Sequence, residues 1–286
     1  MFRLSYYPWL TQNVPAAEID RQICRFAELV ADQLERLKDP DPRVEVLPPV
    51  EVPEQISQLI ENRAEVALMN PLGFVFARNR SRIVSAVAVA LRIIDGKTGS
   101  VYFSQLYAHT KTGIYRLDQA RGRTIGYGVS YSTSNFLIPA YLLHQAGVHP
   151  LLGFGRIEFL KGHEVVARAV YKGKVEIGAG HDGVIVDLAN QPGYSDAGDV
   201  LVQIVRSDPI PSDPVVVNVP DQATRQRLQE AIVAAGNTPD GKDALKIFWG
   251  NTQGLAATET SNYDGLSEAL KRLKLDESDL LPNRNA

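Results

Sequence analysis

Short β-forming runs alternate with stretches of helical period along most of this chain, and that alternation limits its folds more than any other feature. Residues 2–7 (FRLSYY) read as a first strand. Ile19, Ile23, Phe26, Val30, Leu34 and Leu37 then recur every three or four residues, which predicts a helix with one apolar face. Strand-like runs follow at 44–47, 65–69 and 83–94, with helical segments at about 54–62 and 72–78 between them. Proline clusters at Pro40, Pro42, Pro48, Pro49 and Pro71 punctuate the series. Such a series folds into a mostly parallel sheet with helices on its faces. Its crossovers are right-handed, so every strand-to-helix loop emerges at one sheet edge, where ligands of such folds bind. Segments 7–13, 49–53 and 70–73 are expected along that edge.

A second series begins after a β-rich run at 101–109 and one helical turn at 117–120. Its strands are expected at 124–127, 157–160 and 175–179, with helices starting near Ser134 and His163. The same edge rule gathers Ser132, Thr133 and Ser134 after the first strand, Gly162 and His163 after the second, and Gly180, His181 and Asp182 after the third. A strand at 200–205, a proline-rich crossover at 208–214, a strand at 215–219 and helices at about 221–235, 242–249 and 264–274 complete the pattern. The polar tail at 276–286 is expected to be loosely held. Two α/β series joined by extended segments near His109 and Asp208 describe two lobes with a ligand cleft between them. The first lobe is expected to be discontinuous, 1–108 plus 212–286, and the second to span 109–211, with hinges near 105–112 and 206–214. This is the plan of a hinge-closing binding protein.

The length of 286 residues suits two domains, and 44% hydrophobic residues are enough to bury a core in each. A net charge of −3 gives no electrostatic basis for binding nucleic acid or an anionic membrane. The single cysteine, Cys24, excludes an intramolecular disulfide. No apolar run reaches the roughly 18 residues of a membrane-spanning helix. Met1 leads at once into a strand with no signal peptide in view, so either the protein is cytosolic or an export segment has been removed.

The stretch with the most chemistry is TIGYGVSYSTSNFLIPAYLLHQAG, residues 124–147. It places Ser132, Thr133 and Ser134 at the start of a helix, where free backbone N–H groups and the macrodipole favour an anion. The plainer reading is an ordinary N-cap. His163 opens the next helix and can donate its Nε2–H to an anion, or be only a solvent-exposed cap. Asp182, in GAGHDG, lies among glycines that permit close backbone approach, or is a turn aspartate. Asp182 or Asp213 can accept a hydrogen bond from a protonated oxyanion or pair with a ligand ammonium, and would repel sulfate. Tyr7, Trp9 and Tyr102 are candidate wall residues and donors, with simple packing as the alternative. The five histidines lack metal-ligand spacing. No GK[ST] follows a glycine loop, and GVSYS lacks the final glycine of a nucleophile elbow. A Ser132–His163–Asp182 triad is disfavoured, because the hydroxyl cluster suits donation rather than attack. No cofactor, metal or catalytic residue is expected.

Taken in order, YSTSNFLIP after TIGYG, GHEVVARAVYKGKVEIGAGHDG and SDPIPSDPVVV resemble the phosphate/phosphite/phosphonate-binding proteins of bacterial ABC transporters. EVALMNPLGFVFA and TETSNYDGLSEAL are similar to that family too. The resemblance implies a two-lobed α/β fold of the periplasmic-binding-protein type (type II) that closes on an oxyanion. It places the family's hydroxyl loop on Ser132, Thr133 and Ser134, its helix-start histidine on His163, its carboxylates on Asp182 and Asp213, and a tyrosine on Tyr102. It further implies a monomeric, non-enzymatic component, periplasmic or lipid-anchored outside the membrane, serving an ABC permease and its ATPase. Val52-Pro53 and Phe74 depart from the pattern where tyrosines are common, so a donor is missing from the first lobe. The rival readings are a sensor domain, or an enzyme acting on an organophosphorus compound on the same scaffold.

Overall fold

The structure, a computed structural model, describes residues 1–8, 14–94, 96–250 and 252–280. The chain divides into two compact units, 1–101 with 211–266 and 102–210 with 267–286. The first passage through unit 1 contains β1 (Phe2–Ser5), α1 (Ala16–Arg36), β2 (Val44–Val46), α2 (Val52–Ile60), β3 (Val66–Leu68), α3 (Pro71–Arg80), β4 (Ser85–Ile94) and β5 (Lys97–Gly99). In α1 the stripe of Ile19, Ile23, Phe26, Val30 and Leu34 is buried, as its spacing predicts, while Leu37 ends exposed at the C-cap. α2 starts at Val52, two residues before the expected start, because Pro53 is well placed in a first helical turn. Asn70 caps α3 by accepting the Gly73 N–H at 2.7 Å.

Unit 2 contains β6 (Val101–Tyr102, entering at the boundary), β7 (Ser104–His109), β8 (Thr124–Tyr127), α4 (Ile138–Gln145), β9 (Arg156–Phe159), α5 (His163–Tyr171), β10 (Ile177–His181), α6 (Val184–Ala189), α7 (Ala197–Val200), β11 (Leu201–Arg206) and β12 (Ile210–Pro211). The chain returns to unit 1 through β13 (Pro214–Val217), α8 (Gln222–Gly236), α9 (Pro239–Trp249), β14 (Thr252–Ala257) and the start of α10 (Asp264–Leu273). Among these, β14 has no counterpart in the sequence reading. Its TQGLAA sequence is short in β-branched and aromatic residues, and it is an edge strand held by antiparallel pairing to β4. The last described element is α11 (Glu277–Leu280). Of the tail expected to be loose, the described part is anchored: Leu280 is buried, and its carbonyl accepts the Ser130 hydroxyl, while residues 281–286 lie outside the described residues.

Each sheet carries strands of both directions, and each includes a strand inserted next to a chain crossing. In unit 1 the order is β14-β4-β13-β3-β1-β2, with β5 folded back on β4. β1 pairs parallel with β2 and β3, as the helical crossovers require. The returning strand β13 is inserted between β3 and β4 and runs antiparallel to both. In unit 2 the order is β11-β7-β10-β8-β9, with β8 parallel to both β9 and β10. Here β7, the strand that follows the other chain crossing, is inserted between β10 and β11 and is antiparallel to both. The crossings pair as the ribbon β6–β12, and the division of the chain falls within it, at 101/102 and 210/211. Relative to the expected 108/109 and 211/212, β7 belongs to unit 2, and so do residues 267–286.

Two interactions fix the strands that matter most. In unit 1, Glu65 just before β3 accepts the Arg3 backbone N–H at 2.8 Å and its Nη2 at 2.5 Å, tying β1 to β3. In unit 2, the Tyr107 ring of β7 lies across the glycines of β10. A Cβ on Gly178 would sit 2.7 Å from that ring and 2.7 Å from Val170, and one on Gly180 would be 2.9 Å from Val184 and 3.3 Å from the same ring. The glycines of GAGHDG thus make room for a core tyrosine of the protein itself.

Two outcomes follow from these contacts. Gly178→Ala is expected to destabilise the protein by about 1–3 kcal/mol through overpacking, and an unchanged melting temperature would show that Tyr107 can move aside. Burial disfavours the Glu65 carboxylate, but its hydrogen bonds from Arg3 prevail and hold its pKa below the ordinary 4.5. A folded-state pKa below the unfolded one stabilises above the unfolded value and is lost as pH falls through the folded one. Melting temperatures taken between about pH 6 and pH 3 should therefore fall more steeply in the wild type than in Glu65→Gln. Parallel curves would count against the pair.

Candidate functional site

The parallel strands β10, β8 and β9 are in register, with Ile177 opposite Ile125 and Ile125 opposite Ile157, so their C-terminal ends share one edge of unit 2. The turn after β8 starts from Gly128. Ser132 caps the following helix, its Oγ accepting the Asn135 N–H at 3.2 Å. The helix opens with one wide π-turn, Thr133–Leu137, before α4. Such widened turns recur at functional sites. Thr133, Ser134 and Asn135 are all buried, and the Ser134 carbonyl accepts the Ser104 hydroxyl of β7 at 2.8 Å. A hydroxyl that accepts one bond still has its own proton to donate, so Ser132 can be a cap and an anion donor together.

The Asn135 side chain is not among the sequence-predicted site residues. A Cβ on Gly128 would fall 2.5 Å from its carboxamide, so the glycine exists to admit that group. Both polar atoms of the carboxamide are buried and have no hydrogen-bond partner among the described residues. Such a group is costly, which points to a local role beyond packing. The signal in the sequence was the glycine seven residues earlier.

His163 begins α5, at the positive end of a nine-residue helix. Its Nδ1 accepts the His181 backbone N–H at 3.1 Å. That bond places the proton of the neutral ring on Nε2, so the imidazole presents a donor without carrying a charge. The rings of His163 and His181 lie 4.6 Å apart, and His181 Nδ1 accepts the Gly183 N–H at 3.1 Å. Asp182 follows, its N–H bonded to the Phe103 carbonyl at 3.0 Å and its own carbonyl accepting Gln105 Nε2 at 3.1 Å. Its carboxylate lies 3.3 Å from Arg206 Nη2, a partner that no sequence spacing suggested.

Ser132, Thr133, Ser134, His163 and Asp182 therefore stand on one edge of unit 2, and Tyr102 lies in that unit's first strand, buried. Tyr7 and Asp213 belong to unit 1. Tyr7 is buried edge-to-face against Phe248, with ring centroids 5.7 Å apart. Asp213 holds Arg92 Nη2 at 2.5 Å, and Arg92 also donates to Ser212 Oγ at 2.8 Å. Trp9 lies outside the described residues. Phe74 is buried against Tyr263, centroids 5.1 Å apart, and the Tyr263 hydroxyl donates to the Ser212 carbonyl at 2.9 Å.

The fold is similar to that of PhnD1 from Prochlorococcus marinus in complex with methylphosphonate, with a TM-score of 0.73, 19% identity and coverage of 96% of this chain and 98% of that one. A Xanthomonas citri protein bound to ATP has a TM-score of 0.73 at 19% identity, with the same coverage. A binding-protein component of an ABC phosphonate transporter from Pseudomonas aeruginosa has a TM-score of 0.71 at 18% identity, covering 99% of this chain and 89% of that one. Likeness at such identities establishes the two-unit α/β fold of periplasmic binding proteins. The family model for the periplasmic substrate-binding protein of phosphonate ABC transporters matches residues 13–263. With most of its length matched, the chain belongs to the phosphonate-binding family of ABC-transporter substrate-binding proteins, a periplasmic or extracellular solute-binding component and not an enzyme.

Proposed function

We propose that this protein captures a small phosphorus oxyanion, a phosphonate, phosphite or phosphate, at the edge of unit 2. Ser132, Thr133, Ser134 and the Nε2–H of His163 are the donors. Tyr7, Trp9, Tyr102 and Asp213 complete the site, and the two units close on the ligand. The closed form serves a membrane permease driven by its ATPase, and the protein works as a monomer, free in the periplasm or on a lipid anchor. The observation that carries this reading is the hydrogen bond from the His181 N–H to His163 Nδ1, which leaves the opposite ring nitrogen as a neutral donor at a helix start. It stands on the same edge as the capped hydroxyl turn. Two helix starts and three hydroxyls match the many acceptor oxygens of a tetrahedral oxyanion. The Asp182 carboxylate adds an acceptor for a protonated ligand oxygen, which sulfate does not have at neutral pH.

A thermal-shift series with methylphosphonate, phosphite, phosphate and sulfate tests the site. At about a hundred times its dissociation constant, a ligand stabilises the folded form by about 2.7 kcal/mol. The shift with a phosphorus oxyanion is expected to vanish in Thr133→Val and His163→Phe. Ser132→Ala also removes a cap worth about 1 kcal/mol, so in that variant only the ligand-dependent part is diagnostic. Equal stabilisation by sulfate, or a shift that survives in both Thr133→Val and His163→Phe, would overturn the assignment. Closure is checked by small-angle scattering: the radius of gyration should fall on saturation with the ligand that stabilises, and a constant value would remove that part of the mechanism.

A further inference from the structure

We infer that Arg206 sets the ligand class by occupying Asp182, so that the site takes phosphonates with an uncharged substituent in preference to those bearing an amine. The inference rests on the reading above that Asp182 belongs to the oxyanion site.

A carboxylate with no cation beside it would draw in a ligand ammonium. Here three neighbouring strands supply a cation from within the protein. Asp182 follows β10, Phe103 precedes β7 and Arg206 ends β11, and these strands lie side by side in the order β11-β7-β10. The Arg206 guanidinium carbon sits 3.7 Å from the centre of the Phe103 ring, a close cation–π stack. Its Nη2 lies 3.3 Å from Asp182 Oδ2. Arg206 is paired with Gln105 of β7, and the Gln105 amide donates to the carbonyls of both His181 and Asp182, at 3.0 and 3.1 Å. The Asp182 N–H is fixed by the Phe103 carbonyl. The aspartate backbone is thus held at both its N–H and its carbonyl, and the arginine is stacked on the residue that holds it.

The side-chain exposures are 15% for Asp182 and 31% for Arg206, so water screens the pair only in part. A neighbouring carboxylate on the same edge is matched too, since Glu164 meets Arg168 at 3.4 Å. A ligand ammonium arriving at Asp182 would have to share the carboxylate with a guanidinium and face its like charge. An alkyl group meets neither penalty. The carboxylate remains able to accept a hydrogen bond from a protonated phosphonate oxygen, because that role does not require net charge.

Calorimetric titration of the full chain with ethylphosphonate and with 2-aminoethylphosphonate tests this, because the two differ in the terminal ammonium. The wild type should bind ethylphosphonate more tightly. Arg206→Gln should move the ratio of the two dissociation constants toward the amine by about five- to tenfold, the scale of a partly screened charge contact. Arg206→Lys, which keeps the charge, should hold the wild-type ratio. Arg206→Gln combined with Asp182→Asn should lose the gain. A purely structural arginine would weaken both ligands alike and leave the ratio where it was. Tighter binding of the amine by the wild type, or an unchanged ratio in Arg206→Gln, would overturn the inference while leaving the oxyanion site standing. If the wild type binds neither compound and methylphosphonate also fails, the oxyanion reading falls and this inference with it.

Discussion

The packing of Tyr107 against β10 is the contact on which the rest of unit 2 depends. The ring lies where a side chain on Gly178 would be and 3.3 Å from a Cβ on Gly180, so the observed packing of β7 on β10 needs small residues there. β10 in turn pairs with β8, and β8 with β9. The three strand ends that carry the hydroxyl turn, His163 and Asp182 are therefore positioned through one buried ring. Tyr107 comes from the strand that follows a chain crossing, which makes the placement of the site dependent on a strand outside the βαβ series itself.

The donors of the proposed site carry no formal charge. The donors are hydroxyls, helix starts and a neutral imidazole, all of which can face an anion without a lysine or arginine beside it. Asp182 is matched by Arg206 and Glu164 by Arg168, so neither carboxylate opposes an incoming anion at full strength. Unit 1 shows the same habit: Asp213, with its side chain only 8% exposed, is held by Arg92, since a buried carboxylate without a cation would be expensive. The unit 1 positions at which the resemblance leads one to expect tyrosines have packing roles of their own. Val52 lies so close to Gly73 that a Cβ there would be 2.8 Å from its methyl carbon, and Phe74 fills an edge-to-face contact with Tyr263. These side chains are committed to the core of their own unit.

Much of this was legible in the sequence, because helix and strand period are local properties of the chain. The stripe from Ile19 to Leu34, the strand at 124–127 with its hydroxyl turn, and His163 at a helix start all follow from spacings of two to four residues. The edge rule then grouped Ser132, Thr133, Ser134, His163 and Asp182, since parallel strands with right-handed crossovers leave their loops on one side. Strand β14 escaped, because its small residues carry no period and its pairing to β4 decides its conformation.

Local spacing along the chain thus accounts for the list of elements, the α/β class and the residues offered at one sheet edge. Which strands are inserted against the others, where the chain divides and which charges meet depend instead on contacts between distant segments. Arg206 reaches Asp182 from 24 residues away and Arg92 reaches Asp213 from 121 away, so neither pairing leaves a trace in local spacing. The histidine tautomer was undecided for the same reason. The atom that selects it, the His181 backbone N–H, lies 18 residues along the chain and comes within reach only once β9 and β10 are in place on either side of β8. Periodicity is written by neighbours along the backbone, whereas charge and proton placement are written by neighbours across the sheet.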